Sequence, residues 1–348
     1  MSLSEVPPTG QIAAVIPCYR VRAHILDVIE RIGPEVTAIY VVDDCCPEQT
    51  GAFVREASRD SRVRVIMRTV NGGVGAATLS GYRQALADGM TVIVKIDGDG
   101  QMDPALLPIF VRPILEGRAD YTKGNRFFNL DDVRTMPTIR LFGNAVLSFM
   151  TKLSTGYWTL FDPTNGYTAI HANVLRQLPL NSISTRYFFE SDMLFRLGIL
   201  RACVLDIPMT AIYAEEQSNL RIRAVLFGFL KGHLRNLVKR IVYSYFVRDF
   251  SIASVELVVG LLLLGFGTIF GFSHWWYNAH HDVVTTSGTV MLSALPVILG
   301  LQIFLSFLGF DIAAVPQTAI HRLLDSTIRS GTKAHADVSK LPAGSGKR

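Results

Sequence analysis

The stretch Lys95–Pro104, KIDGDGQMDP, places Asp97 and Asp99 two residues apart in a glycine-punctuated turn. Two carboxylates at i and i+2 with a flexible residue between can face one hard cation and leave positions for diphosphate oxygens. Gln101 can add a neutral oxygen ligand. The plainer alternative is an Asp-Gly turn joining two elements. Because an apolar strand-like run, Thr91–Ile96, leads directly into it, the cation reading is preferred.

Asp43-Asp44 also follows an apolar run, and a carboxylate there can accept a hydrogen bond from a nucleobase N–H or cap the next helix. Asn71–Ala77, NGGVGAA, resembles a dinucleotide fingerprint, but Thr78 stands where a third glycine belongs, and the loop follows the third strand. Gly73 is therefore expected in a tight loop that opens a helix against a nucleotide site, or simply in helix–sheet packing. Further acids lie in Asp162–Tyr167 and in Tyr187–Asp192. On a helix Glu190 and Asp192 do not share a face, so at most one points into a site, and Asp192 is the candidate base. Arg126, Arg140, Arg221 and Arg223 could clamp phosphate through their planar forks or be solvated surface charge.

The elements that must position these groups alternate. Ile12–Pro17, Ala38–Val42, Val63–Met67 and Thr91–Ile96 read as strands. Helical patterns lie between them, with Ile25, Val28, Ile29 and Ile32 on one face of the first, then about 51–58 and 74–87. Such alternation implies βαβ units, an α/β fold and a largely parallel sheet, whose ligands bind beyond the carboxyl ends of the strands. Cys18–Tyr19, Asp43–Asp44, Asn71–Gly75 and Asp97–Gln101 all fall at such ends, so four polar clusters should meet on one rim. Beyond Gly117 the pattern is mixed, with a helix expected near Thr138–Leu153 and strands near Thr168–Ile170 and Cys203–Ile207.

The last third differs in kind. Of 348 residues 49% are hydrophobic, and the excess lies after Ser251. Ala224–Phe250 interleaves Leu, Phe and Val with Lys, Arg and His, as a basic amphipathic helix at a bilayer interface would, or else a core helix of a larger domain. Ile252–Phe272 and Val290–Phe310 each match the about 20 residues that span a bilayer. Trp275, Trp276 and Tyr277 are expected in the loop between them, and Lys and Arg flank the pair on the outside. That charge placement puts the catalytic part and both termini on the cytoplasmic side of the inner membrane. No charged-then-apolar leader opens the chain. The expected division is a catalytic domain over 1–220, interfacial helices over 221–250, a transmembrane hairpin over 251–325 and a disordered tail over 326–348. A net charge of +5 does not argue for nucleic acid, and four cysteines without metal-ligand spacing argue against zinc.

Taken together, these residues resemble family two glycosyltransferases of GT-A fold, a Rossmann-like, mixed but largely parallel sheet. The closest subgroup is the polyprenyl-phosphate glycosyltransferases, which includes dolichyl-phosphate mannose synthases. The resemblance covers roughly residues 11–250 and rests on Val15–Arg20, Val41–Asp44, Asn71–Ala77, Asp97–Gln101, Asp162–Tyr167 and Phe188–Leu194 in that order. It implies that Pro17, Tyr19, Asp43 and Asp44 hold the nucleoside, and that Asp97, Asp99 and Gln101 hold Mg²⁺ or Mn²⁺ on the donor diphosphate. It also sets Arg126, Arg140 and Arg221 or Arg223 near donor and lipid phosphates, and implies self-association through the hairpins. Tyr19-Arg20-Val21 departs from the family's frequent Tyr-Asn-Glu, and Asn165–Thr168 from its Ser-Gly-Phe-Arg.

The expected reaction is an inverting transfer from a nucleotide-diphosphate sugar to a polyprenyl phosphate at the bilayer. A phosphate nucleophile, with a second pKa of about 6, needs no strong base. A sugar hydroxyl on a lipid-linked glycan would need one, with Asp192 the candidate. A catalytically silent membrane scaffold is the remaining alternative, and the intact metal set counts against it.

Overall fold

The computed structural model describes residues 10–128, 138–210 and 222–324. Seven strands form one sheet: β1 (Ile12–Cys18), β2 (Val36–Asp43), β3 (Val63–Met67), β4 (Val92–Lys95), β5 (Tyr121–Asn125), β6 (Thr168–His171) and β7 (Val204–Pro208). Their order is β3-β2-β1-β4-β6-β5-β7. Only β6 runs against its neighbours, while β1 pairs parallel with β2 and β4, and β5 parallel with β7. The fold is thus the expected mixed, largely parallel α/β sheet.

Strand β1 is buried throughout because helices cover both faces of the sheet. Its Ala13 and Val15 join a core with α3 (Val74–Ala87) and α7 (Phe189–Leu200), while Ile12, Ala14 and Ile16 join another with α1 (Ile25–Glu30) and α4 (Leu107–Leu115). The chain moves outward from β1 to β2 and β3, then returns to lay β4 on the other side of β1. That reversal opens a crevice at the carboxyl ends of β1 and β4. Pairing with β4 stops at Val15–Lys95, so Pro17, which has no N–H to donate, lies where only β2 still accompanies β1.

Helix α4 carries Pro113 inside it yet keeps helical spacing on its buried face, with Leu107, Phe110, Val111 and Ile114. Strand β5 is not announced by apolar patterning, because it reads YTKGN with every residue buried. Between β5 and β7 the chain forms α5 (Thr138–Thr155), β6, α6 (Ala172–Gln177) and α7.

Helix α8 (Ile222–Val242) passes into a π-helical turn, Tyr243–Arg248. Its polarity is inverted relative to a soluble surface helix. His233, Asn236 and Arg240 are buried against the sheet domain, while Phe227, Leu230, Leu234 and Val238 point outward. Two helices long and apolar enough to cross a membrane follow, α9 (Ile252–His281) and α10 (Ser287–Ala313). They pack as a hairpin, with Ser306 Oγ donating to Glu256 Oε1 (2.9 Å) and Ser293 Oγ to the Gly267 carbonyl (3.2 Å). One expectation is corrected here. Trp275, Trp276 and Tyr277 lie on the last turns of α9 rather than in the connecting loop, because helix continues to His281.

After α10 the chain returns to the sheet domain. Asp120 accepts from the backbone N–H groups of Ile320 and His321 and from His321 Nδ1 (2.8 Å), and His171 stacks on His321.

Candidate active site

A cleft of about 430 Å³ opens at the carboxyl ends of β1, β2 and β4. Pro17, Tyr19, Asp44, Asn71, Gly73, Asp97 and Asp99 line it, so all four polar clusters reach it. Arg186 and Tyr187, from the loop before α7, close its far wall.

The loops here are backbone-strained. Arg20 after β1 and Cys45 after β2 take left-handed conformations with φ of 59° and 54°. The turn after β2 is held by its acids. Asp43 accepts from Cys46 N–H (2.7 Å) and Gly51 N–H (2.6 Å), so its two oxygens brace the turn and the start of α2 (Thr50–Ala57). Asp44 accepts from Gly72 N–H (3.0 Å) and Gly73 N–H (2.7 Å) and pairs with Arg68 Nε at 3.0 Å. It therefore ties the glycine loop to the cleft wall. Gly73 has φ of 90°, and a Cβ there would come 2.9 Å from the Thr185 carbonyl, so only glycine fits.

Asp97 is 28% exposed by side chain and reachable from the cleft, whereas Lys95 beside it is 1% exposed. Lys95 Nζ donates to Asp97 Oδ1 (2.8 Å) and to the Gly166 carbonyl (3.2 Å), and lies 3.5 Å from Glu190 Oε1. Burial alone would lower the Lys95 pKa, but Asp97 and Glu190 overcome it and hold the ammonium charged. Burial pushes the Glu190 carboxyl up; Lys95 opposes that shift and Asp97 adds to it. A Cβ at Gly166 would sit 2.7 Å from Asp97 Oδ2, so the DPTNGY segment closes over this carboxylate. Asp99 Oδ1 accepts from Gln101 N–H (3.0 Å); the Gln101 side chain is half-buried and does not line the cleft.

Of the two acids on α7, Glu190 faces Lys95. Asp192 is buried on the other side, accepting from Ser184 N–H (2.9 Å) and Asn236 Nδ2 (3.1 Å) and pairing with Arg196 at 3.3 Å. It is not among the lining residues of the cleft. Helical spacing parts the two acids, but it is Glu190, not the expected Asp192, that turns toward Lys95.

A second set of charges lies under β5–β7. Lys95 and Lys123 both stand opposite Thr168 of β6, and Lys123 also stands opposite Asp206 of β7, so one row of polar residues crosses the sheet. Burial lowers the Lys123 pKa although Asp162 and Asp206 draw it the other way. Arg126 forms a two-point pair with buried Asp162, Nε–Oδ2 at 2.8 Å and Nη2–Oδ1 at 3.0 Å. Burial would raise the Asp162 pKa, but Lys123 and Arg126 hold it below the usual range. Arg126 lies outside the cleft lining. Arg221 lies outside the described residues, as do the side chains of Arg140 and Arg223.

Among the described residues no three His, Cys, Asp or Glu side chains converge to hold a metal. Asp97 and Asp99 open on the cleft as a pair, and a hard cation there would draw its other ligands from the oxygens of a bound molecule. The donor set therefore fits a cation shared with a diphosphate. Lys95, Arg186 and Tyr187 do not stand out as site residues in the sequence, and Glu190 is weighed there only to be passed over for Asp192. A lysine at the end of an otherwise apolar strand was the available signal for Lys95.

Residues 13–178 match the family model for glycosyl transferase family 2. The chain is 30% identical to polyprenol monophosphomannose synthase of Mycolicibacterium smegmatis, over 68% of this chain and 92% of that one. It is 30% identical to undecaprenyl-phosphate mannosyltransferase of Micrococcus luteus, over 59% and 85%. Among solved structures, glucosyl-3-phosphoglycerate synthase of Mycobacterium tuberculosis with phosphoglyceric acid superposes with a TM-score of 0.50 at 20% identity, covering 67% of this chain and 80% of that one; it shares the fold. The strand-end acids, the glycine loop and these relatives agree: the chain belongs to glycosyl transferase family 2 and is a glycosyltransferase.

Proposed function

We propose that this enzyme moves a sugar from a nucleotide-diphosphate sugar to a polyprenyl phosphate at a membrane surface, in one inverting displacement. The observation that carries the reading is the cleft in which Asp97 and Asp99 face Tyr19, Asp44 and the Gly73 loop. Relatives named for polyprenol and undecaprenyl phosphate support the acceptor class. The outward apolar face of α8 and the hairpin beyond it support a bilayer setting. Residues 1–220 are then the catalytic domain, 221–250 the interfacial segment, 251–325 the membrane hairpin and 326–348 a tail. Both hairpin ends meet the sheet domain and so lie on its side of the membrane, and the Lys and Arg that flank the pair favour the cytoplasmic side.

In this reading Pro17 and Tyr19 contact the nucleoside, while Asp43 and Asp44 shape the turn and loop around it. Asp97 and Asp99 would hold Mg²⁺ or Mn²⁺, while Gln101, whose side chain does not line the cleft, braces Asp99 through its N–H. When bound, that cation offsets the negative charge growing on the departing nucleoside diphosphate. Lys95 holds Asp97 through Oδ1, and the partly exposed carboxylate still reaches the cleft. Glu190 keeps Lys95 in place from behind. Arg140, Arg221 and Arg223 supply guanidinium groups for donor and lipid phosphates, whereas the Arg126 fork is already paired with Asp162 outside the cleft lining. A phosphate acceptor is already anionic at neutral pH, so no side chain has to take its proton. The contacts of Asp192 suit a structural tie better than a general base.

Mass spectrometry of the lipid product, after offering a panel of nucleotide-sugars with polyprenyl phosphate, tests the proposal. A sugar-phosphate-polyprenol is expected, with formation lost on chelation and in Asp99→Ala. Absence of that product with every donor would sink the acceptor assignment. Undiminished product in Asp99→Ala would remove the metal from the mechanism.

A further inference from the structure

A second cavity, about 280 Å³, lies where the foot of the hairpin meets the sheet domain. Its volume is near the lower end for small-molecule sites, about 300 Å³. It shares no lining residue with the active-site cleft. Helix α7 separates the two, with Glu190 in its first turn toward the cleft and Gly198 in its last turn at the cavity. At 1.5 Å per residue the ends of that helix are roughly 18 Å apart.

The floor is a neutralised ion pair. Asp311, near the end of α10, accepts from Arg240 Nη1 (2.6 Å) and Nη2 (3.0 Å), from Trp158 Nε1 (2.8 Å) and from the Tyr245 hydroxyl (2.5 Å). This charge is spent within the protein. Above it stand Arg201 and Arg248, both exposed. Arg248 donates to the Ile199 carbonyl (2.7 Å), and no salt bridge involves either arginine among the described residues. Burial and the nearby Arg201 lower the Arg248 pKa, as for two cations sharing a space. Asp249 also lines the cavity, so three arginines face two aspartates and the lining keeps one net positive charge. The opposite wall is apolar and belongs to the hairpin: Phe310, Ala313, Ala314 and Pro316.

A basic wall against an apolar one, at the end of a membrane-length helix, matches a molecule with a phosphate beside hydrocarbon. Guanidinium groups pair with phosphate oxygens, and basic pockets at the cytoplasmic ends of membrane helices hold anionic headgroups. We infer that this cavity binds the phosphate of an anionic phospholipid headgroup, separately from the acceptor lipid of the cleft, and fixes the hairpin foot to the catalytic domain. The inference rests on the membrane reading above but not on the reaction.

The test uses full-length protein in phosphatidylcholine nanodiscs containing a minor fraction of phosphatidylglycerol, with retained lipid counted by native mass spectrometry. Wild type should retain phosphatidylglycerol in preference to phosphatidylcholine. R201Q/R248Q should weaken retention about thirtyfold, the loss of two arginines at an anionic surface. R201K/R248K should recover part of it, which a merely misfolded variant would not. Excess inorganic phosphate should not displace the lipid; displacement would reassign the site to free phosphate and overturn the lipid source. Equal retention by wild type and R201Q/R248Q, or no preference between the two lipids, would overturn the site itself. Glycosyl transfer measured alongside separates the two ideas, because lipid retention is read without donor, acceptor or metal.

Discussion

The two halves of the carboxyl edge hold their acids in different ways. On the β1–β2 side, among the described residues, Asp43 accepts from backbone N–H groups alone, and Asp44 takes two glycine N–H groups with one arginine. On the β5–β7 side, Asp162 lies between Lys123 and Arg126, and Asp206 stands opposite Lys123. Backbone donors fix loop shape and leave the cleft open to a ligand. Counter-ions close the space and must all be present together. The first half is thus built to receive a molecule and the second to hold the first in place, with Lys95 and Glu190 at the seam.

The largest expected effect falls on the counter-ion half. Asp162→Ala removes the acid that attracts buried Lys123 most and the two-point partner of Arg126, and breaking such a buried pair costs about 3–5 kcal/mol. Thermal unfolding of the purified protein should show it as a large drop in midpoint. A drop no larger than that of an exposed control such as Asp27→Ala would erase the distinction between the halves. Lys95→Met comes next. Partners that orient a metal ligand are worth about 10–100-fold in metal affinity or activity. The expected result is a shift in the metal concentration for half-maximal transfer, with donor binding less affected; an unshifted metal titration would take Lys95 out of the site.

The same contrast decides what the sequence could tell. Strands β1 to β4 are short apolar runs bounded by turn residues, and the acids that follow them stand out against that background. Strand β5 is legible only in three dimensions, because the row Lys95–Thr168–Lys123–Asp206 makes sense of its lysine through residues 28 to 83 positions away. Apolar patterning does not read a strand whose polar side chains are neutralised by distant partners. Glu190 and Asp192 show the limit on a smaller scale. Helical spacing parts them, but Asn236 of α8 and Ser184 claim Asp192, and neither contact is local enough to foresee. Length and charge reveal the hairpin but not the place of its aromatic residues, which stay on α9 because Ser273–His281 continues the helix.

A backbone-held acid should be cheaper to lose. Asp43→Ala removes bonds to Cys46 and Gly51 N–H, and capping losses of this kind cost about 1 kcal/mol, up to about 2. The turn after β2 also shapes the cleft, so donor KM should rise while kcat changes less. If Asp43→Ala destabilised as much as Asp162→Ala, backbone and counter-ion support would be equivalent here and the comparison would fail.

The smallest effect, and the sharpest in sign, belongs to Asp206. Its Oδ2 accepts from Asn125 Nδ2 (3.0 Å) and Phe161 N–H (3.2 Å), but Oδ1 is buried without a hydrogen-bond partner among the described residues. Burial raises its pKa, opposed by Lys123 and those two donors. The native state therefore keeps the Asp206 proton to higher pH than the unfolded chain does. Between the unfolded and the raised pKa only the unfolded state sheds its proton, so wild-type stability from this group falls as pH rises and then levels off. Asp206→Asn keeps an oxygen for both donors and removes the titration, at the loss of one attraction for Lys123. At neutral pH the two proteins should differ by less than about 1 kcal/mol, an ordinary figure where no large cavity or unpaired charge is made. On titration from pH 4 toward neutrality, the variant should gain on wild type. Unfolding midpoints of the pair across that range read the sign directly; a variant that loses ground as pH rises would mean that the Asp206 charge stabilises this half of the sheet more than burial penalises it.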